Sequence, residues 1–194
     1  MKVLIVVDMQ KDFIDGSLGT KEAQAIVPRV AEAIEKMADP NTVVLFTKDT
    51  HKEDYMETLE GKNLPVSHCV KNTAGHSIID EVFISYSNVI HQYVDPYEVY
   101  PFKELNPFIV EKSTFGSVEL QNILYNIDRQ CLGIEEITLM GVCTGICVLS
   151  NAILCKATLP EVPVNVVADC CACVTPESHK TALEAMKLCQ INII

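Results

Sequence analysis

The chain has 194 residues, 48% of them hydrophobic, and a formal net charge of −11. That length buries a large core within the range of a single compact domain, while acidity without any basic run excludes the electrostatic footprint of a nucleic-acid or anionic-membrane binder. No stretch approaches the roughly 20 unbroken apolar residues of a spanning helix, and Met1-Lys2 leads into a strand-like run rather than a signal peptide, so a cytoplasmic enzyme with a small-molecule partner is expected.

The first predicted element is the strand KVLIVV from Lys2. Ala23, Ile26, Val27, Val30, Ala31 and Ile34 then trace one apolar face at helical spacing. TVVLFT from Thr42 reads as the second strand. From Asp49 to about Pro107 the chain is polar and turn-like with weak periodicity, longer than a structural connection requires. After it come the strand PFIVEK from Pro107, a helix from Ser117, the strand EEITLMGV from Glu135, a helix from Gly145, the strand VPVNVVA from Val162, a helix opening at Pro176, and a terminal INII. Apolar strands alternating with helices predict an α/β three-layer sandwich with a central, mostly parallel sheet of about six strands. Ligands in such sheets bind beyond the carboxyl ends of the strands, which makes residues at those ends the first candidates for chemistry.

Asp8 emerges where LIVV stops, between apolar residues that raise a carboxyl pKa unless a cation compensates, and is a candidate general base. Lys112 ends PFIVEK in the same manner and can pair with it. Cys147, in GVCTGICVLSNA, falls in the first turn of the predicted helix, where the helix start favours a thiolate and backbone amides are available to an oxyanion. Cys143 lies in the preceding turn with its own amide suitably set, and Gly141 and Gly145 suggest tight backbone around both. A carboxylate, an ammonium and a thiol at three strand ends form a complete set for covalent acyl transfer. The remaining cysteines of the nine read as buried thiols, with Cys170, Cys171 and Cys173 expected to pack under the last helix.

Asp49 and His51 follow the second strand two residues apart, so both point the same way if the chain stays extended. His68 arrives after Glu53, Asp54, Glu57 and Glu60. Two imidazoles with carboxylates suit Zn²⁺, with Mn²⁺ or Fe²⁺ as alternatives, rather than Ca²⁺. His76, His91 and His179 show no companion pattern and are expected to face solvent.

Four segments in order resemble the isochorismatase-like cysteine hydrolases, and within them the nicotinamidase type: VVDMQKDF, DTH followed by LPVSHCVKNTAG, VEKSTFGS, and GVCTGICVLSNA. The resemblance implies a catalytic triad of Asp8, Lys112 and Cys147, an oxyanion hole from the amides of Cys143 and Cys147, and a cis peptide between Val142 and Cys143. It implies divalent metal ligands at Asp49, His51 and His68, with Glu60 as the fourth and Glu57 its competitor, and Phe13 as a wall of the ring pocket. It further implies one cysteine hydrolase domain over residues 1–194, with a metal-binding and substrate-lid insertion at about 49–106, a small-molecule amide substrate, and a homo-oligomer. The expected reaction is hydrolysis of nicotinamide to nicotinate and ammonia through a cysteine thioester. Where many relatives carry an aromatic residue ahead of the metal-block histidine, this chain has Leu64 and Pro65, and it has no tryptophan. Alternatives are a metal-independent hydrolase of another amide or a carbamoyl or ureido compound, and a thiol-based redox or metal-binding protein. The latter leaves Asp8 and Lys112 unexplained.

Overall fold

A computed structural model describes residues 1–93, 108–130 and 133–194, without the side chains of residues 90–93 and 108. Among the described residues, six strands form one sheet: β1 (Lys2–Val7), β2 (Thr42–Asp49), β3 (Phe108–Lys112), β4 (Glu136–Val142), β5 (Val164–Ala172) and β6 (Asn192–Ile193). Their order is β3-β2-β1-β4-β5-β6, and every pairing is parallel. The expected sheet is therefore present, and parallel throughout.

Burial explains why β1 sits at the centre. Val3 through Val7 are almost completely buried, each contributing roughly 1.5–3 kcal/mol of apolar burial, and only a strand covered on both faces can bury successive side chains in this way. On one face lie α1 (Lys11–Ile14), α2 (Lys21–Met37) and α4 (Asp80–Tyr93), with α2 against α4 and β5. On the other, α5 (Val118–Gln130), α6 (Leu149–Thr158) and α7 (Pro176–Leu188) pack in succession. Thr20 caps α2 by accepting from the Ala23 amide, and α7 opens with Pro176 behind a Thr175–Ser178 capping box.

The stretch from Asp49 is more regular than its sequence suggests. A 3₁₀ turn (Tyr55–Glu57) and the short α3 (Leu59–Asn63) are followed by α4, which no periodicity announced. Val82, Tyr86 and Val89 form its buried stripe, but Ser85 is buried among them while Phe83 and Ile84 face outward, which blurs the pattern. The part of the expected insertion from 94 to 106 lies outside the described residues. Among the described residues, no helix is long and apolar enough to cross a membrane.

Candidate active site and metal centre

Asp8 leaves β1 with φ +48°, a left-handed conformation uncommon for a residue with a side chain. This turns its carboxylate into a site with no solvent exposure. Thr47, beside it on β2, donates its hydroxyl to Asp8 Oδ1 at 2.6 Å, and the Asp8 amide donates to the same hydroxyl oxygen at 3.2 Å. Lys112, at the end of β3, reaches across β2 to bring Nζ within 2.6 Å of Asp8 Oδ2, 3.6 Å of Asp49 Oδ1 and 3.6 Å of Cys147 Sγ. Burial alone would lower the lysine pKa, but the charges of Asp8 and Asp49 outweigh it and hold Lys112 protonated well above its usual range. A desolvated ammonium costs several kcal/mol, and it is tolerated here because carboxylates face it from two strands.

Cys147 lies in a π-helical turn (Thr144–Val148) between β4 and α6. In that turn the Cys143 carbonyl accepts from the amides of Ile146 and Val148 at 3.0 and 3.1 Å, on either side of the Cys147 amide. Interruptions of this kind concentrate at functional sites. The Val142–Cys143 peptide is cis. Gly141, at φ +124°, leaves no room for a Cβ against the Val7 carbonyl of β1, so β4 can approach β1 here only with glycine. Contrary to a thiolate favoured by the helix start, burial first and the Asp8 charge second push the Cys147 thiol well above its ordinary pKa, against the pull of Lys112. The half-buried Cys143 thiol is likewise pushed up to about 12, chiefly by burial.

Asp49, His51, Glu60 and His68 form a second cluster whose ligand atoms all lie within 4.8 Å of one another. His51 Nε2 stands 2.8 Å from Asp49 Oδ2 and 3.8 Å from Glu60 Oε1, and His68 Nε2 stands 3.4 Å and 3.9 Å from the same two atoms. Ligands of a tetrahedral ion with bonds of about 2.0–2.2 Å are separated by about 3.4 Å, so the group fits a zinc-class cation. An orphaned atom points the same way: His51 Nε2 is buried with no hydrogen-bond partner. His68 turns Nε2 toward the group because its Nδ1 lies 2.8 Å from the Val66 carbonyl. Burial would raise the Asp49 pKa, but the adjacent imidazoles of His51 and His68 and the charge of Lys112 hold it well below the carboxylate range. Glu57 is exposed on the 3₁₀ turn and outside the group, whereas Glu60, on α3, is half-buried within it.

Several supporting residues escaped the sequence reading. Gln10, fully buried, accepts from the Asp49 amide at 2.7 Å and donates to the Asp49 and His76 carbonyls at 2.8 and 3.0 Å. Asp12 accepts at 2.8 Å from the amide of Cys69, itself left-handed at φ +45° beside His68. Both stand in the quoted block VVDMQKDF, the available signal, yet neither ends a strand. Asn151 has no exposure; it donates to the Phe115 and Cys147 carbonyls and accepts from the Ser117 amide, joining the π-helical turn to the start of α5.

Two histidines depart from expectation. His76 is buried, with Nε2 2.8 Å from Thr50 Oγ1 and Nδ1 3.2 Å from Lys48 Nζ, and half-buried His179 meets Thr144. The side chain of His91 lies outside the described residues. Of the three cysteines expected to pack under the last helix, Cys170 departs from that expectation: it donates to the Arg29 carbonyl of α2, while Cys173, just beyond β5, lines the cavity of the site. That cavity, of about 280 Å³, runs from Asp49, Glu60 and His68 to Cys143 and Cys147, with Phe13, Leu64 and Phe115 among its walls. Phe13 also meets His68 at a ring separation of 5.5 Å.

The isochorismatase domain model matches residues 2–93 and 91–194. A nicotinamidase/pyrazinamidase of Mycobacterium tuberculosis is 26% identical over 201 residues, covering 100% of this chain and 98% of that protein. Among solved structures, a pyrazinamidase/nicotinamidase of Streptococcus mutans is 27% identical with a TM-score of 0.80 and full coverage of both chains. A pyrazinamidase of Pyrococcus horikoshii in complex with zinc is 27% identical with a TM-score of 0.75, covering 100% of this chain and 98% of that one.

Proposed function

Since the chain belongs to the isochorismatase domain family, we propose that it is a cysteine amidohydrolase of the nicotinamidase type, converting nicotinamide to nicotinate and ammonia. The observation that carries this reading is the convergence of Asp8, Lys112 and Cys147 at the carboxyl end of the sheet, with Lys112 Nζ 2.6 Å from the carboxylate and 3.6 Å from the sulfur. Relatives matched along nearly their whole length are named as nicotinamidases or pyrazinamidases. The cavity supports it too: about 280 Å³ falls at the small end of ligand pockets, and a mainly apolar lining suits a single aromatic ring.

In this mechanism Cys147 rests as a thiol. Asp8 takes its proton as the sulfur attacks the carboxamide carbon, and the amides of Cys143 and Cys147 hold the developing oxyanion. Collapse breaks the carbon–nitrogen bond, Asp8 returns the proton to the departing ammonia, and a thioester remains on Cys147. Water activated by the same carboxylate then cleaves the thioester, releasing the acid and restoring the thiol. Lys112 keeps Asp8 oriented through both half-reactions. Asp49, His51, Glu60 and His68 would hold a divalent ion, zinc being the reading their donor set supports, which supplies a Lewis-acid contact that orients the ring. Residues 1–194 read as one hydrolase domain in which the stretch after β2 contributes three of those ligands. Its buried free thiols suit a reducing, cytoplasmic setting.

Ammonia release from nicotinamide by the purified protein, before chelation, after it and on zinc add-back, tests the proposal. Release that is lost on chelation and regained with zinc is the expected result. No release from any preparation would overturn the nicotinamide reading.

A further inference from the structure

Thr144 opens the turn that carries Cys147 and is completely buried, yet the mechanism above leaves its hydroxyl unused. That oxygen lies 2.8 Å from Nδ1 of His179, near the start of α7. The start of α7 is well fixed, with Pro176 and the capping box just before His179. The turn also lies directly against this helix: a Cβ at Gly145 would stand 3.4 Å from both Ala182 Cβ and Cys173 Sγ. Burial lowers the His179 pKa, which keeps the ring neutral and one nitrogen free to accept.

The nucleophile turn is therefore held from two sides. Lys112 approaches the sulfur from β3, whereas the Thr144–His179 contact grips the backbone between Cys143 and Cys147 from α7. We propose that His179 is a positioning residue which, through Thr144, holds the peptide planes of Cys143 to Cys147 in the geometry that binds the oxyanion. This rests on the amidohydrolase reading above. The contact uses Nδ1, an atom whose position an asparagine amide reproduces; a glutamine amide overlays Nε2 instead. Loss of the contact displaces the oxyanion donors while leaving the thiol on its own partners, so its effect falls on turnover rather than on substrate binding or thiol reactivity.

Steady-state hydrolysis of nicotinamide should be compared in the full chain, His179→Ala, His179→Asn, His179→Gln, Thr144→Val and the Ala–Val double variant. Alkylation of Cys147 by iodoacetamide, read at its own peptide, should be followed in parallel. The expected result is a kcat about tenfold lower in the Ala, Gln and Val variants, with KM and the alkylation rate within about twofold, recovery in His179→Asn, and no further loss in the double variant. Unchanged kcat in His179→Ala, additive losses in the double variant, or alkylation falling in step with kcat would overturn the proposal. Should His179→Ala fail to fold, equal activity of His179→Asn and His179→Gln overturns it instead. An unsubstituted chain that releases no ammonia from nicotinamide overturns the nicotinamide reading itself, and this proposal with it.

Discussion

Lys112 has 6% exposure and depends on two carboxylates, from β1 and β2, to remain charged there. Replacing it with methionine leaves Asp8 and Asp49 facing each other's charge without a counter-ion. The expected cost is about 3–5 kcal/mol of stability, measured as a lower urea midpoint, together with loss of ammonia release. Thr47 poses a finer question, because its hydroxyl binds Asp8 without touching the sulfur in any contact described above. Thr47→Val should lower kcat by about tenfold with KM unchanged, since it frees the base and leaves the pocket walls alone; equal falls in affinity and turnover would count against Asp8 as the base. Asp8, Lys112 and Cys147 were legible because each ends or follows a strand in a recognisable segment. Gln10, Thr47 and Asn151 were not, because their task is to hydrogen-bond backbone or side chains that for the most part only the folded chain brings near, which leaves no periodic trace.

At the level of elements, the joint between the π-helical turn and α5 rests on Asn151. Asn151→Leu keeps the volume but strands two carbonyls and an amide, and an unsatisfied buried group costs about 1–3 kcal/mol. A total loss of about 3 kcal/mol is expected from chemical unfolding, with an unchanged denaturant slope. The loop between β2 and α4 makes the converse case, since its three candidate ligands gather with Asp49 of β2 around an orphaned imidazole nitrogen rather than an apolar core. Zinc should therefore raise the melting temperature in a concentration-dependent manner, and His51→Ala should abolish that rise. A temperature insensitive to zinc would remove the metal assignment. The order and type of the strands could be read from their apolar runs, while α4 could not, because the outward Phe83 and Ile84 and the inward Ser85 contradict its amphipathic face.

Over the whole molecule, acid stability follows from the histidines. His76 is kept neutral by burial and by the charge of Lys48, so its pKa in the folded protein lies below the ordinary 6.5. The unfolded chain then binds the proton more readily, and the contribution of His76 is intact above that value and lost as pH falls toward the folded pKa. His76→Asn should reduce the fall in urea midpoint between neutral and mildly acidic buffer; an identical fall would place acid sensitivity elsewhere. The strand order has a different consequence. β3, β2 and β1 come from the first part of the chain and β4, β5 and β6 from the last, so the sheet is two contiguous pieces laid edge to edge. Asp8 stands on one side of that seam and Cys147 follows the strand on the other. A molecule divided between α5 and β4 would thus become a split enzyme, silent in either fragment and active only when the two are rejoined.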